Sequence, residues 1–172
     1  MRIETARIIL RPITLNDLES VHAYASSETI CKYMLWGPNT LDETKKFIEY
    51  TMKCLNEKPI TYYELGIDYQ GKIIGGVALI LNALEKKAEL GWILHEDYQR
   101  KGIAFEAVSA MMKMGIALGY HVFYATADSR NIASIKLMEK LGMKFMTLDK
   151  SVRLNKVSGK HEFDQVMYQC EN

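Results

Sequence analysis

Residues 96–107 read EDYQRKGIAFEA. The apolar segment before them, 88–95, favours a strand, and the apolar spacing after Gly102 favours a helix. A turn that leaves a strand and enters a helix can present successive backbone N–H groups to an anion, and the helix N-terminus adds partial positive charge. Gly102 lets the backbone approach a ligand closely, and Arg100 and Lys101 add full positive charge. These residues predict a phosphate-binding turn, although an ordinary strand-to-helix turn with a cap glycine explains them as well.

The rest of the chain alternates between strand and helix patterns. Strands are predicted at 7–13, 62–69, 72–81, 88–95, 122–127, 143–154 and 162–170, and helices at about 14–25, 40–57, 102–118 and 131–141. Gln70-Gly71 predicts a hairpin turn between the second and third strands. No internal repeat or linker interrupts this order, so we predict one α/β domain over residues 1–172.

Composition and charge narrow the class of protein. The chain is 48% hydrophobic and 25% charged, which is typical of a globular protein with a substantial core. Its net charge is +1, without acidic or basic blocks, so strong nonspecific binding to nucleic acid or membranes is not expected. The three cysteines are widely spaced and the four histidines form no zinc-binding motif. We therefore expect no disulfide framework, no metal site and a cytoplasmic location.

Several motifs resemble one family of enzymes. Residues 99–104 (QRKGIA) resemble the (Q/R)xxGx(G/A) pyrophosphate loop of the GNAT superfamily of N-acetyltransferases. Residues 131–143 (NIASIKLMEKLGM) resemble the NxxSxxLxEKLGF segment of its RimJ/RimL branch, which acetylates protein N-termini, including those of ribosomal proteins. The opening, with Arg7, Leu10-Arg11-Pro12 and Asp17, and the segment 89–92 (ELGW) are similar to that branch too. The resemblance covers nearly the whole chain in the expected order.

The resemblance implies a fold and a cofactor, acetyl-CoA. The fold is a mixed, strongly twisted central sheet flanked by helices on both faces. The parallel strands at 88–95 and 122–127 would splay apart and admit the pantetheine arm, and the turn amides would take the pyrophosphate. The implied cofactor-binding residues are Ile93, Leu94, His95, Gln99, Arg100, Lys101, Gly102, Ile103, Ala104, Phe105, Asn131 and Ser134.

Two positions depart from the family pattern. Phe105 stands where many relatives carry Thr or a small residue. Met138 stands where many relatives carry the Tyr thought to protonate the departing thiolate, so a tyrosine-based mechanism is in doubt here.

Two residues are candidates for catalysis. Glu89 precedes the cofactor-binding part of its strand and is the candidate general base, acting through water; the alternative is an exposed glutamate paired with Lys86 or Lys87. Ser134 is the candidate donor of a proton to the thiolate, and Asn131 is the candidate partner of the pantetheine arm; the alternative is that Asn131 or Ser129 merely caps the helix.

Aromatic residues between the first two helices are candidates for binding the acceptor. Tyr33 and Trp36 offer apolar contact area with a polar group, which suits a peptide backbone or a small polar amine. Packing of the two helices on the sheet explains the same residues.

The predicted function is acetyl transfer from acetyl-CoA to a primary amine, with a protein or peptide N-terminal α-amine favoured. An α-amine with a pKa near 7.7–8.0 is partly neutral at cytoplasmic pH, whereas a lysine amine near 10.4 is not. The alternatives are a small-molecule amine acceptor (an amino acid, a polyamine or an antibiotic), a non-catalytic acyl-CoA sensor, and a nucleotide-phosphate enzyme, although the chain has no Walker-type motif. The oligomeric state does not follow from the sequence, although a homodimer would bury exposed strand edges.

Overall fold

The computed structural model describes residues 1–171, which form eight strands and five α-helices. The strands are β1 (Ile3–Glu4), β2 (Ile9–Pro12), β3 (Tyr62–Tyr69), β4 (Lys72–Asn82), β5 (Lys87–Leu94), β6 (Val122–Asp128), β7 (Lys144–Leu154) and β8 (His161–Glu171). The helices are α1 (Leu18–Ala25), α2 (Glu28–Cys31), α3 (Leu41–Cys54), α4 (Ile103–Ala117) and α5 (Ile132–Lys140), with short 3-10 turns at Leu15–Asp17 and Glu96–Tyr98. The predicted elements occur in the predicted order. Two short elements are additional: the two-residue strand β1 and the four-residue helix α2.

All eight strands join one sheet in the order β1-β2-β3-β4-β5-β6-β8-β7. Every neighbouring pair is antiparallel except β5 and β6, which run parallel. The hairpin between β3 and β4 turns at Gln70 (φ 54°) and Gly71 (φ 85°), the two positive φ values that a tight two-residue turn requires. The sheet is therefore mixed, as the resemblance implied.

Helices cover both faces of this sheet. Helix α4 packs on β4 and β5 and buries Ala107, Val108, Met111 and Gly115 in the larger core. Helices α1 and α3 lie over β4 and β3, where Val21, Tyr24 and Ile48 belong to a second, smaller core. The predicted fold class, an α/β sheet with helices on both faces, is confirmed.

Helix α3 begins where its sequence specifies a cap. Thr40 Oγ1 accepts a hydrogen bond from the backbone N–H of Glu43, and a Glu43 carboxylate oxygen accepts from the backbone N–H of Thr40. This reciprocal capping satisfies two donors that the first turn of a helix leaves free. The helix ends at Cys54, three residues before the predicted limit.

The parallel strands β5 and β6 separate after a short stretch of pairing. They pair only at Lys87–Glu89 with Val122–Tyr124, and beyond those residues each strand continues without the other. On its other side β5 stays tightly paired with β4, where a Cβ on Gly75 would collide with the Ile93 carbonyl oxygen. The sheet therefore opens between Leu90–Leu94 and Ala125–Asp128.

Strand β7 forms one edge of the sheet and leaves apolar side chains exposed. Phe145, Met146 and Val152 are each about half exposed there. In residues 1–171, no helix is both long and apolar enough to cross a membrane.

Candidate active site

The turn before α4 has the geometry of an anion cradle. Gly102 adopts the left-handed conformation (φ 78°), as does Arg100 (φ 59°), and α4 begins at the next residue, Ile103. Within the described chain, the backbone N–H groups of residues 100–105 donate to no hydrogen-bond acceptor. Successive free amides at a helix N-terminus suit a diphosphate, so the residues present fit the pyrophosphate of CoA.

Side chains on both sides brace this turn. Gln99 donates from Nε2 to the Leu94 carbonyl oxygen (2.9 Å), which ties the turn to the end of β5. Arg7 pairs with Glu106 (2.7 Å) and donates from Nη1 to the Lys101 carbonyl oxygen (2.7 Å). The Gln99 side chain therefore makes a hydrogen bond within the protein. Arg7 belongs to the opening motif that resembles the family, and its contacts with Glu106 and Lys101 hold the start of α4 in place.

The backbone groups at the end of β5 face two directions, some towards β4 and others towards the gap beside β6. The N–H of His95 donates to the Ile74 carbonyl oxygen (2.8 Å), and the carbonyl of Ile93 also faces β4. Peptide groups alternate in direction along a strand, so those of Trp92 and Leu94 face the gap beside β6. The backbone groups of Trp92 and Leu94 are therefore the ones open to the gap, whereas Ile93 and His95 use theirs within the sheet.

Helix α5 brings Asn131 and Ser134 to the gap. Asn131 caps the helix by accepting from the Ser134 N–H (3.2 Å), and both residues also line the cleft described below. The Ser134 hydroxyl has no hydrogen-bond partner in the described structure, which leaves it free to donate. Met138 is fully buried in the larger core. Phe105 is half-buried beside Lys140, whose Nζ lies 4.7 Å from the ring centre.

A cleft of about 520 Å³ opens on the face of the sheet that carries α1 and α3. Ile93, Thr126 and Ser134 line it where β5 and β6 separate. Tyr33 and Trp36 line the same cleft from the loop after α2, and Trp36 is 40% exposed, which places it at the rim rather than in the core.

Glu64 on β3 is a cleft residue that the sequence analysis missed. It is 7% exposed, accepts a hydrogen bond from the Tyr62 hydroxyl (2.8 Å) and lies against Gly76, where a Cβ would come within 2.5 Å of its carboxylate. Burial raises the pKa of Glu64 to about 7, although the hydrogen bond from Tyr62 opposes the shift. An acidic residue in a mostly apolar strand was the available signal, but it does not reveal that the side chain faces a cleft.

Glu89 lies at the last paired position of β5 and β6, opposite Tyr124. Its carboxylate accepts from the Tyr124 hydroxyl (3.3 Å), and burial raises its pKa. Glu89 forms no ion pair with Lys86 or Lys87. Lys87 Nζ lies 3.6 Å from a Glu85 carboxylate oxygen, and Lys86 Nζ lies over the Tyr120 ring. Glu89 is not among the residues that line the cleft.

Comparisons with known proteins identify the family of this chain. Residues 7–144 match the family model described as the acetyltransferase (GNAT) domain. The uncharacterised N-acetyltransferase YnaD of Bacillus subtilis (strain 168) is 29% identical over 145 residues, 84% of this chain and 83% of that protein. Spermidine N(1)-acetyltransferase of Escherichia coli (strain K12) is 26% identical over 135 residues, 77% of this chain and 70% of that protein.

A solved structure shares the whole fold. RimL, a ribosomal L7/L12 α-N-protein acetyltransferase in complex with coenzyme A, superposes with a TM-score of 0.87 over 99% of this chain and 98% of that one, at 18% identity. The chain therefore belongs to the GNAT acetyltransferase family, and it is an N-acetyltransferase that uses acetyl-CoA.

Proposed function

We propose that this enzyme acetylates an α-amine, with the free N-terminus of a protein or peptide as the acceptor. The observation that carries the proposal is Glu64, a buried carboxyl group with a pKa of about 7 in the wall of the acceptor cleft. A base whose pKa lies near the working pH is partly ionised and still able to hold a proton.

The pKa of Glu64 matches an α-amine better than a lysine. An α-ammonium group has a pKa of 7.7–8.0, so transfer of its proton to Glu64 is uphill by about one unit, or ~1.4 kcal/mol. A lysine ammonium near 10.4 would face a gap of more than three units, or ~4–5 kcal/mol. The same carboxylate also attracts the ammonium form of the acceptor before proton transfer.

The other cleft residues take complementary roles in the proposal. When bound, acetyl-CoA supplies an acetyl group already activated as a thioester. Ser134 Oγ holds a proton beside the gap and is the donor for the departing thiolate, while Asn131 hydrogen-bonds the pantetheine arm. Tyr33 and Trp36 give the acceptor an aromatic wall. Glu89 is the second candidate base, acting through water from the end of the paired region.

A small-molecule amine is the second candidate acceptor. The relative named spermidine N(1)-acetyltransferase favours it, because that protein covers most of this chain at 26% identity. The net charge of +1 gives no general attraction for a polycation, which keeps polyamines behind α-amines.

The expected setting of the enzyme is also a proposal. We infer an enzyme without nucleic-acid or membrane partners from the near-neutral charge and the absence of any basic block. The three widely spaced cysteines favour a reducing, cytoplasmic location. The exposed edge at β7 supports a homodimer, which the mass in solution tests directly.

Two peptides test the acceptor. One carries a free α-amine with blocked lysines, and the other carries a blocked N-terminus with free lysines; CoA release from acetyl-CoA is measured with each. Release with the first alone supports the proposal. Release only with the second, or only with polyamines, contradicts it, and release with no amine while acetyl-CoA still binds identifies a sensor.

A further inference from the structure

Arg153 is a buried cation in the wall of the acceptor cleft. It lies on β7, is 7% exposed and lines the cleft together with Tyr33, Asn131 and Ser134. Its Nη1 donates to the Gln165 side-chain oxygen (3.0 Å), and its Nη2 donates to the Tyr33 carbonyl oxygen (3.0 Å). A guanidinium has five N–H donors. Several of them therefore remain available to a ligand.

No carboxylate within residues 1–171 forms a direct ion pair with Arg153. Both of its hydrogen-bond acceptors are neutral. Asp128 acts on it electrostatically but already accepts three hydrogen bonds from Arg130 (2.7, 2.9 and 2.9 Å). Burial of a charge without a partner is costly, so such a group in a binding cleft is suited to an anion that arrives with the ligand.

We propose that Arg153 binds a carboxylate of the acceptor, so that the preferred substrates are α-amines that carry a nearby carboxylate. The inference rests on the proposed function, because it assigns the amine to Glu64 and the carboxylate to Arg153 within one cleft. The planar guanidinium suits two parallel hydrogen bonds to a carboxylate. The carboxylate can belong to an acidic residue near a peptide N-terminus or to a free α-amino acid.

A purely structural role for Arg153 leads to a different expectation. Its bond to the Tyr33 carbonyl helps to hold the loop after α2. Loss of that bond alone would weaken all acceptors equally. Loss of a carboxylate site would weaken acidic acceptors selectively, so the ratio between a carboxylate and its amide separates the two roles.

Two matched pairs of acceptors measure that ratio. One pair is a peptide with Asp at its second position and the same peptide with Asn; the other is free alanine and alaninamide. The amine of alanine has a higher pKa than that of alaninamide, so kcat/KM is compared per neutral-amine form of each acceptor. On that basis, we expect the wild type to favour the carboxylate member of at least one pair by about tenfold to a hundredfold, the worth of a hydrogen-bonded charge. The pair that responds identifies the source of the carboxylate.

Arg153→Gln should bring that ratio close to one, and Arg153→Lys, which keeps the charge, should retain part of it. Arg2→Gln, on the exposed surface, is the control and should keep the wild-type ratio. Equal losses on both members of each pair, or a rise in KM for acetyl-CoA alone, would overturn the inference. Melting curves of both Arg153 variants show whether they fold.

A binding measurement separates this inference from the proposed function. Calorimetry with the Asp and Asn peptides in the presence of CoA requires no turnover. Tighter binding of the Asp peptide that is lost in Arg153→Gln supports the carboxylate site even if no acceptor is acetylated. Turnover of neutral peptides with ratios near one in both pairs would leave the proposed function standing and overturn the carboxylate site.

Discussion

At the scale of single residues, Glu64 and Glu89 are two carboxylates on one face of the sheet with different surroundings. Glu64 is buried in the cleft and receives one hydrogen bond from Tyr62, whereas Glu89 receives one from Tyr124 outside the cleft lining. Burial raises the pKa of both, but only Glu64 lines the space that an acceptor would occupy. This difference places Glu64 first as the base.

Replacement of Glu64 tests that assignment. Glu64→Gln should lower kcat about a hundredfold near pH 7, since a positioned general base contributes on that order, and should remove the rise in rate through pH 7. The deficit should shrink above pH 8, where an α-amine is itself neutral. The measurement is kcat and kcat/KM from pH 5.5 to 9.

Two companion variants make the result specific. Tyr62→Phe removes a hydrogen bond that lowers the pKa of Glu64, so the rising limb of the wild-type profile should move to higher pH. In Glu89→Gln, the rise of the rate through pH 7 should be the same as in the wild type. If Glu89→Gln abolishes the limb while Glu64→Gln retains it, Glu89 is the base.

At the scale of elements, the left-handed start of α4 determines how the free amides are presented. A side chain at Gly102 strains its positive φ by ~1–2 kcal/mol, although the nearest atom to a Cβ, Arg7 Nη2, is at an ordinary 3.4 Å. We expect Gly102→Ala to raise the Kd for acetyl-CoA about tenfold, measured by calorimetry.

The same helix provides a matched control. Gly119 follows the other end of α4, has a φ of 86° and has nothing within 4 Å of a built Cβ. Gly119→Ala should therefore carry similar strain and lower the melting temperature without weakening acetyl-CoA. Equal Kd values for the two variants would show that the turn at Gly102 is not the phosphate site.

The loop that carries Tyr33 and Trp36 is fastened by the segment after β7. Lys156 donates from Nζ to the carbonyl oxygens of Cys31 (3.0 Å), Trp36 (3.0 Å) and Gly37 (2.6 Å). We expect Lys156→Met to raise KM for the acceptor several-fold, because three acceptors lose a charged donor, and to leave KM for acetyl-CoA unchanged.

Lys150 gives the comparison for Lys156. It lies on β7 with its side chain 77% exposed, and its Nζ lies 3.9 Å from a carboxylate oxygen of Asp164. Lys150→Met should keep wild-type kinetics. If both lysine variants raise KM for the acceptor to the same extent, the fastening of the loop is not the cause.

At the scale of the whole molecule, the buried Glu64 couples the stability of the fold to pH. Its folded pKa of about 7 lies above the ordinary value of 4.5, so the folded state holds an extra proton between those values. The free energy of unfolding therefore falls as pH rises from 4.5 to 7 and levels off above 7. The loss is on the order of 3 kcal/mol.

Glu64→Gln should remove this dependence and be the more stable protein at pH 8. The measurement is the denaturation midpoint of both proteins from pH 5 to 8, with the exposed α1 variant Glu19→Gln as the control. A constant difference between wild type and Glu64→Gln across that range would contradict a raised pKa for Glu64.

The sequence by itself determined the features that depend on neighbouring residues. Strand, turn and helix signals at 88–118 and the Gln70-Gly71 hairpin act over a few positions, so local patterns predict them. The family motifs added the fold class, the enzyme class and the cofactor, all of which are confirmed. The assignments of individual site residues stay predictions.

The tertiary structure alone decided which side chains share the cleft. Glu64 is buried because β4 supplies Gly76 beside it, and Arg153 and Lys156 contact a loop that lies about 120 residues earlier in the chain. Strand pairing also decided that Trp92 and Leu94, rather than Ile93 and His95, turn their peptide groups to the gap. Burial and charge pairing arise from residues far apart in sequence, and for that reason no local pattern reveals them.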